Sequence, residues 1–248
     1  MPNTKPDLSF DDSGVCSACN SYNDRSDVDW DLRKKELKDL LEQYKNKDGN
    51  SWDCIVPVSG GKDSTYQVIR ILQLGLNPLC VTATTCSLSK IGRKNIDNIK
   101  SLGVDYIEFT PNPVIRAKLN RIGLNEVGDI SWPEHIGMFT IPFTIALKFD
   151  IPTILYGENP QHEYGGPEHF VNNRHQDRRW LEEIGGTLGM RLEDVLLSEN
   201  IEQKELIQTV TLKKSSIVTP KTYALTMTQK EVDNIKRIAE EKKIRLFK

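Results

Sequence analysis

Between Trp52 and Tyr156 the chain alternates short, nearly continuous apolar runs with longer stretches whose apolar residues recur every three or four positions. The runs Cys54–Val58, Pro78–Thr84, Val104–Phe109 and Pro152–Tyr156 predict four strands. The stretches between them predict helices. One places Val68, Ile69 and Leu72 on a single face and closes at Gly75. A second covers residues 89–102, with Ile96, Ile99 and Leu102 inward and Gly103 as its stop. A third covers 113–126, with Val114, Leu119 and Ile122 apolar. A fourth covers 134–149 and is bent or delayed by Pro142. Alternation of this kind, with strands apolar throughout, predicts an α/β fold built on a doubly wound parallel sheet covered on both faces.

The flanks follow other patterns. Residues 29–45 predict a helix with Trp30, Leu37, Leu40, Leu41 and Tyr44 on one face and Asp27 or Asp29 as its cap. Residues 1–28 are polar and turn-rich, an irregular N-terminal segment that contains the pair Cys16-x-x-Cys19. After Asn159 the alternation stops at a polar loop, NPQHEYGGPEHF. Residues 177–184 and 190–197 predict short helices, residues 204–220 fit strand or loop, and Thr228–Arg245 predicts a closing helix with Thr228 and Glu231 at capping-box spacing. The expected division is therefore 1–28, a nucleotide-binding unit over 29–197 with its leading helix, and a helical C-terminal tail over 198–248.

In a doubly wound sheet, ligands bind beyond the carboxyl ends of the strands. That rule selects Ser59–Ser64, Thr82–Cys86, Thr110–Asn112 and Gly157–Asn159. The first is the most informative. Ser59-Gly60-Gly61-Lys62-Asp63-Ser64 joins a strand to a helix, and its glycines let the backbone turn sharply and bring N–H groups near a ligand. The helix start adds unpaired donors and the positive end of the macrodipole, which together make a phosphate cradle. It is not a Walker A loop, because Val56 stands where the first glycine belongs and Asp63 follows Lys62; no GxGxxG occurs either.

Composition narrows the picture further. The 33 basic and 35 acidic residues leave a formal charge of −2, so nothing draws the whole chain toward nucleic acid. No apolar run approaches the roughly 20 residues that span a bilayer, and MPNTKPDLSFDD has no apolar core of a signal peptide. Five cysteines fit a reduced, cytoplasmic setting better than a disulfide scaffold. One CxxC is half of a four-ligand zinc site.

SGGKDS after an apolar strand resembles the PP-loop of the ATP pyrophosphatases, a group with a Rossmann-like fold (adenine nucleotide α-hydrolase-like) that splits ATP between its α- and β-phosphates. The flanking segments GVCSACNSY, GRKNIDNI, FTPNP, SWPEHIGMFTIPFTIALKFDIPTILYGENPQHEYGGPEHF and DRRWLEEIGG resemble the N-acetyl sugar amidotransferases of bacterial surface-polysaccharide (lipopolysaccharide) synthesis, from about Met1 to Leu197. The resemblance implies an enzyme that converts an acetamido group of a nucleotide-linked N-acetyl sugar to an acetamidino group. The carbonyl oxygen is adenylated, pyrophosphate leaves, and ammonia displaces AMP. Ammonia is expected from a separate glutaminase through a cyclase-like channel subunit, with no nucleic acid, no membrane insertion, and homo-oligomers left open.

On that resemblance Ser59, Gly60, Gly61 and Ser64 hold the phosphates, Lys62 neutralises their charge and Asp63 holds Mg²⁺. The alternatives are a solvent-facing loop lysine and a first-turn acid favoured by the helix dipole. Thr82 and Thr84 are expected to seat adenine, or else are β-branched strand residues. Arg93 and Asn95 reach phosphate or sugar, or form a surface pair. Glu158 follows the fourth strand as a catalytic carboxylate, and Asn159, Tyr164, Gly165 and Gly166 suit the sugar. His135 and His162 lie near the same edge, as bases or as structural histidines.

Members of that family usually carry a cysteine pair just before the position of Met1, further cysteines where Ser131 and Glu134 stand, and a Tyr-Pro-rich stretch with a Pro-Trp-Asp-Gly turn after Ser198, none of which occurs here. The expectation is an intact ATP site with an altered sugar side and an incomplete zinc site at Cys16 and Cys19. Two other readings compete: a tRNA-modifying thiolase using Cys80 and Cys86, and a non-catalytic nucleotide-binding scaffold in a glutaminase complex.

Overall fold

The computed structural model describes residues 9–17, 19–20, 29–84, 88–157, 189–190 and 195. The expected Glu158, Asn159, His162, Tyr164, Gly165 and Gly166, together with the helices at 177–184 and Thr228–Arg245, lie outside the described residues. The named elements are α1 (Trp30–Tyr44), β1 (Cys54–Pro57), α2 (Lys62–Gln73), β2 (Pro78–Ala83), α3 (Lys90–Lys100), β3 (Asp105–Phe109), α4 (Pro113–Val127) and α5 (Trp132–Phe149).

β1, β2 and β3 form a parallel sheet in that order, with Cys54 opposite Pro78 and Leu79 opposite Asp105. The fourth predicted strand is reduced to a parallel bridge between Ile154 and Ile55. Ile55 N–H donates to the Thr153 carbonyl (2.9 Å) and Leu155 N–H to the Ile55 carbonyl (2.8 Å). Val58 N–H, by contrast, donates to Val81. Odd and even residues of β1 therefore bond to opposite neighbours, and the chain returns beside β1 after β3 is complete. That reversal is the topological switch of a doubly wound sheet.

Side chains alternate across the sheet as the pleat requires. Cys54, Val56, Val58 and Cys80 pack with Val68, Ile69 and Ile71 of α2 and Ile99 of α3. Ile55, Leu79 and Val81 pack with Ile141, Phe143 and Ala146 of α5 and with Ile151 and Ile154. Both faces are thus covered by helices, which is why the strands read as continuous apolar runs. α4 lies against α5 through Ile115, Leu119, Ile122, Trp132 and Ile136, joined by Val195. Asp53, buried before β1, accepts from the amides of Asn46 (2.8 Å) and Asn77 (2.6 Å) and ties the leading loop to the start of β2.

Three expectations change. Trp30 is 49% exposed, not part of the inner face of α1, because Leu41 alone of that helix is fully buried. Ile115, not Val114, joins Leu119 and Ile122 on the inner face of α4; Val114 is displaced about 100° around the helix and is 64% exposed. α5 runs unbroken from Trp132 through Pro142 to Phe149. Its early start comes from Pro133 in the first turn, where a missing N–H costs nothing. No described helix is long and apolar enough to cross a membrane.

Candidate active site

The loop after β1 is placed by its glycines and by α3. Gly60 has φ +83°, in the left-handed region. A Cβ there would stand 3.1 Å from Ile96 Cγ1 and 3.2 Å from the Ile96 backbone nitrogen. The loop therefore presses directly onto α3, and only a residue without a side chain makes both the turn and the contact. Gly61 is the N-cap of α2 and supplies no side-chain cap. The first turns of α1, α3 and α4 are capped instead by Asp29, Ser89 and Asn112. Ser64 and Thr65 direct their hydroxyls back to the Gly61 carbonyl (3.2 and 2.8 Å), which leaves the first-turn amides of α2 with no side-chain oxygen on them. Gly61 N–H leans on Ser59 Oγ at 3.4 Å. An uncapped helix start behind a glycine turn is a site that attracts an anion.

Lys62 and Asp63 form an ion pair at the lip, with Nζ 2.7 and 2.9 Å from the two carboxylate oxygens. Their side chains are 74% and 58% exposed, so the pair adds little stability. Both charges are at hand for a ligand. The residues fit ATP and Mg²⁺ in kind: free amides, a cation and an exposed carboxylate at the carboxyl edge of a parallel sheet. Among the described residues no three His, Cys, Asp or Glu side chains converge as a preformed metal site. Cys16 is buried and Cys19 exposed, both as free thiols, beside the Phe10–Cys16 bridge of a short hairpin.

Thr82 does not turn its hydroxyl to a ligand. It donates to the Val58 carbonyl at 2.6 Å, immediately before Ser59, and it is hydrogen-bonded to the Tyr106 hydroxyl. Because the Val58 carbonyl only accepts, the proton order is Tyr106 to Thr82 to Val58. This chain fixes the loop from behind, and it corrects the expectation of a direct adenine contact by the Thr82 hydroxyl. Burial raises the Tyr106 phenol to about 12, against a smaller lowering by the Thr82 bond. Tyr106 thus contributes stability that is complete below its ordinary value of 10.0 and is lost as pH rises toward about 12. In Tyr106→Phe, unfolding measured from pH 8 to 12 is expected to lose that alkaline decline, with a cost at neutral pH of about 1 kcal/mol. An unchanged decline would contradict the hydrogen-bond order.

Thr84 uses its amide on the Phe109 carbonyl (2.8 Å) and its carbonyl on Arg116 Nη1 (3.0 Å), while its Oγ1 is buried without a partner. Arg116, 5% exposed, also comes within 3.9 Å of Glu134, which accepts from Asn120 at 2.8 Å. Asn95 lines the outside of the glycine turn. Arg93 is engaged by Glu108 at 2.5 Å. Burial alone would raise the Glu108 carboxyl, but hydrogen bonds from Arg93 and Lys100 outweigh it and hold the group below its ordinary value. His135, in the first turns of α5, shares a 2.8 Å hydrogen bond with Asp129. Sequence reasoning missed Gln67, Tyr106 and Arg116: each sits inside an amphipathic or strand pattern, and only its burial marks it as polar and committed.

Cys80 is fully buried and its thiol is pushed up to about 12 by burial. Such a group is not a thiolate nucleophile. This weighs against a thiolase that relies on Cys80; Cys86 lies outside the described residues.

Comparison with known proteins gives a limited frame. No protein-family model matches the chain. An uncharacterized protein of Methanocaldococcus jannaschii is 30% identical over 139 residues, covering 50% of this chain and 49% of that protein. The chain thus spans about half the length of that relative. Among solved structures, an NMN synthetase from Francisella tularensis superposes with a TM-score of 0.39 at 12% identity, over 65% of this chain and 73% of the other.

Proposed function

We propose that this chain binds ATP at Ser59–Ser64 and serves as an ATP-dependent amidotransferase subunit acting on a nucleotide-linked N-acetyl sugar. The observation that carries the ATP half is the uncapped start of α2 behind Gly60, at the carboxyl edge and beside the switch point of a parallel sheet. The resemblance of the flanking segments supports the sugar half.

In this reading the loop amides and the Ser59 and Ser64 hydroxyls bind the β-phosphate and the leaving pyrophosphate. Lys62 offsets the charge that builds there, and Asp63 is the residue that would hold Mg²⁺, whose chemistry is to bridge and neutralise phosphate oxygens. Attack of the acetamido oxygen on the α-phosphorus forms an imidate adenylate and releases pyrophosphate; ammonia then adds at carbon and AMP departs. Glutaminase and cyclase-like channel subunits would supply the ammonia.

The test is exchange of labelled pyrophosphate into ATP in the presence of nucleotide-linked N-acetyl sugars. Ser59→Ala and Asp63→Ala are each expected to reduce exchange by about 100-fold or more without a change in melting temperature. Absence of exchange in the wild-type chain, with ATP bound and partner subunits present, would leave a nucleotide-binding scaffold instead.

A further inference from the structure

Gln67 lies on the second turn of α2 and is 4% exposed. Its Nε2 donates to the Leu155 carbonyl at 2.7 Å. That carbonyl only accepts, so the amide orientation follows from chemistry. Oε1 is thereby turned toward Gly157, where an added Cβ would stand 3.0 Å from it and 3.5 Å from Cδ. Oε1 is buried and has no hydrogen-bond partner. A buried acceptor left unpaired is costly and calls for a reason. Leucine or methionine at this position would avoid the cost altogether.

The place of the residue supplies that reason. Leu155 is bonded to Ile55 of β1, and β1 leads directly into the phosphate loop. Gln67 therefore bridges the crevice where β1 and the returning segment diverge, the part of a doubly wound sheet that receives ligands. One rigid helix joins the anion-attracting amides at its start to the carbonyl of Leu155 two turns on.

We propose that Gln67 is a positioning residue that couples occupancy of the phosphate loop to the position of Leu155–Gly157, an inference that rests on the reading of the loop as an ATP site. A phosphate group drawn onto the start of α2 moves the helix as a rod, and Gln67 carries the Leu155 carbonyl with it. Gly157 is required because any side chain there would strike the amide. Oε1 is unpaired in the unliganded chain and gains its donor in the loaded one.

Hydrogen exchange of the full chain, with and without ATP and Mg²⁺, tests this on the peptide covering 151–157. ATP is expected to slow exchange at Leu155 by about tenfold in the wild type. Gln67→Leu, and Gln67→Met as a second apolar filler, are expected to abolish that slowing while the ATP dissociation constant stays within about threefold. Gly157→Ala is expected to lower the melting temperature, and less so when Gln67 is already alanine. If the wild type binds no ATP, the ATP-site reading itself fails and the coupling with it. If ATP binds and exchange at 151–157 does not respond, the coupling alone is overturned. It is equally overturned if the Gln67 variants speed exchange to the same degree with and without ATP, the mark of a purely structural residue.

Discussion

Gly60→Ala is expected to weaken ATP binding at least about tenfold, a loss of about 1.4 kcal/mol or more. Two effects add. The backbone at residue 60 has φ +83°, where a side chain costs about 1–2 kcal/mol. The new Cβ would also meet Ile96 at 3.1 Å on its side chain and 3.2 Å on its backbone nitrogen. Ile96 is fully buried and its backbone lies inside α3, so neither atom yields. The chain relieves the contact by lifting the loop off α3, which moves the amides away from their anion. Gly61→Ala is the control. Gly61 has φ −74°, and its nearest new contact is Ser59 Oγ at an ordinary 3.4 Å. It is expected to cost only about 0.5–1 kcal/mol, as a weakened N-cap. ATP titration and thermal unfolding of the two variants check the pair. Equal binding losses would mean that the contact with α3 does not hold the loop.

The second large effect is in the fold. Gly123→Ala places a methyl group 2.5 Å from the Asp129 carbonyl oxygen and 2.5 Å from Trp132 Cβ. Helix propensity alone favours alanine by about 1 kcal/mol. Here it loses. The Asp129 carbonyl is backbone, and Trp132 is 1% exposed and packed against Ile115, Leu119 and Ile122. Gly123 itself accepts from the amides of Gly128 and Asp129, so α4 ends and the chain turns at this point of closest approach. Overpacking of this kind costs about 1–3 kcal/mol, more where backbone must move. The expected net loss is at least about 2 kcal/mol in urea unfolding. A neutral or stabilised variant would show that α4 and α5 separate freely. Because these helices carry Arg116 and Glu134 to the end of β2, the variant is also expected to disturb the carboxyl edge.

Much of this architecture was legible beforehand because its signals are local. Apolar runs buried on both faces, glycine stops after Leu74 and Leu102, and the Asn112-Pro113 helix start each act within a few residues. The phosphate loop was legible for the same reason: strand end, glycine turn and helix start are neighbours in the chain. Where local signals competed, the reading slipped. Trp30 and Val114 are apolar at plausible helical positions, yet they sit just outside the faces that the packing buries. Thr82 stood at a strand end where a ligand contact was expected, and its hydroxyl was instead taken by Val58 and Tyr106.

The sequence by itself determined the order of strands and helices, the parallel class of the sheet and the position of the anion-attracting loop, because backbone propensity, side-chain period and glycine conformations are properties of adjacent residues. The tertiary structure alone decided that the returning segment pairs with Ile55, that Gln67 meets Leu155 across 88 residues, that Tyr106 braces the loop through Thr82, and that Arg116 is buried against Thr84. Those pairings depend on which polar groups lose water together when distant elements pack, and no spacing along the chain encodes that.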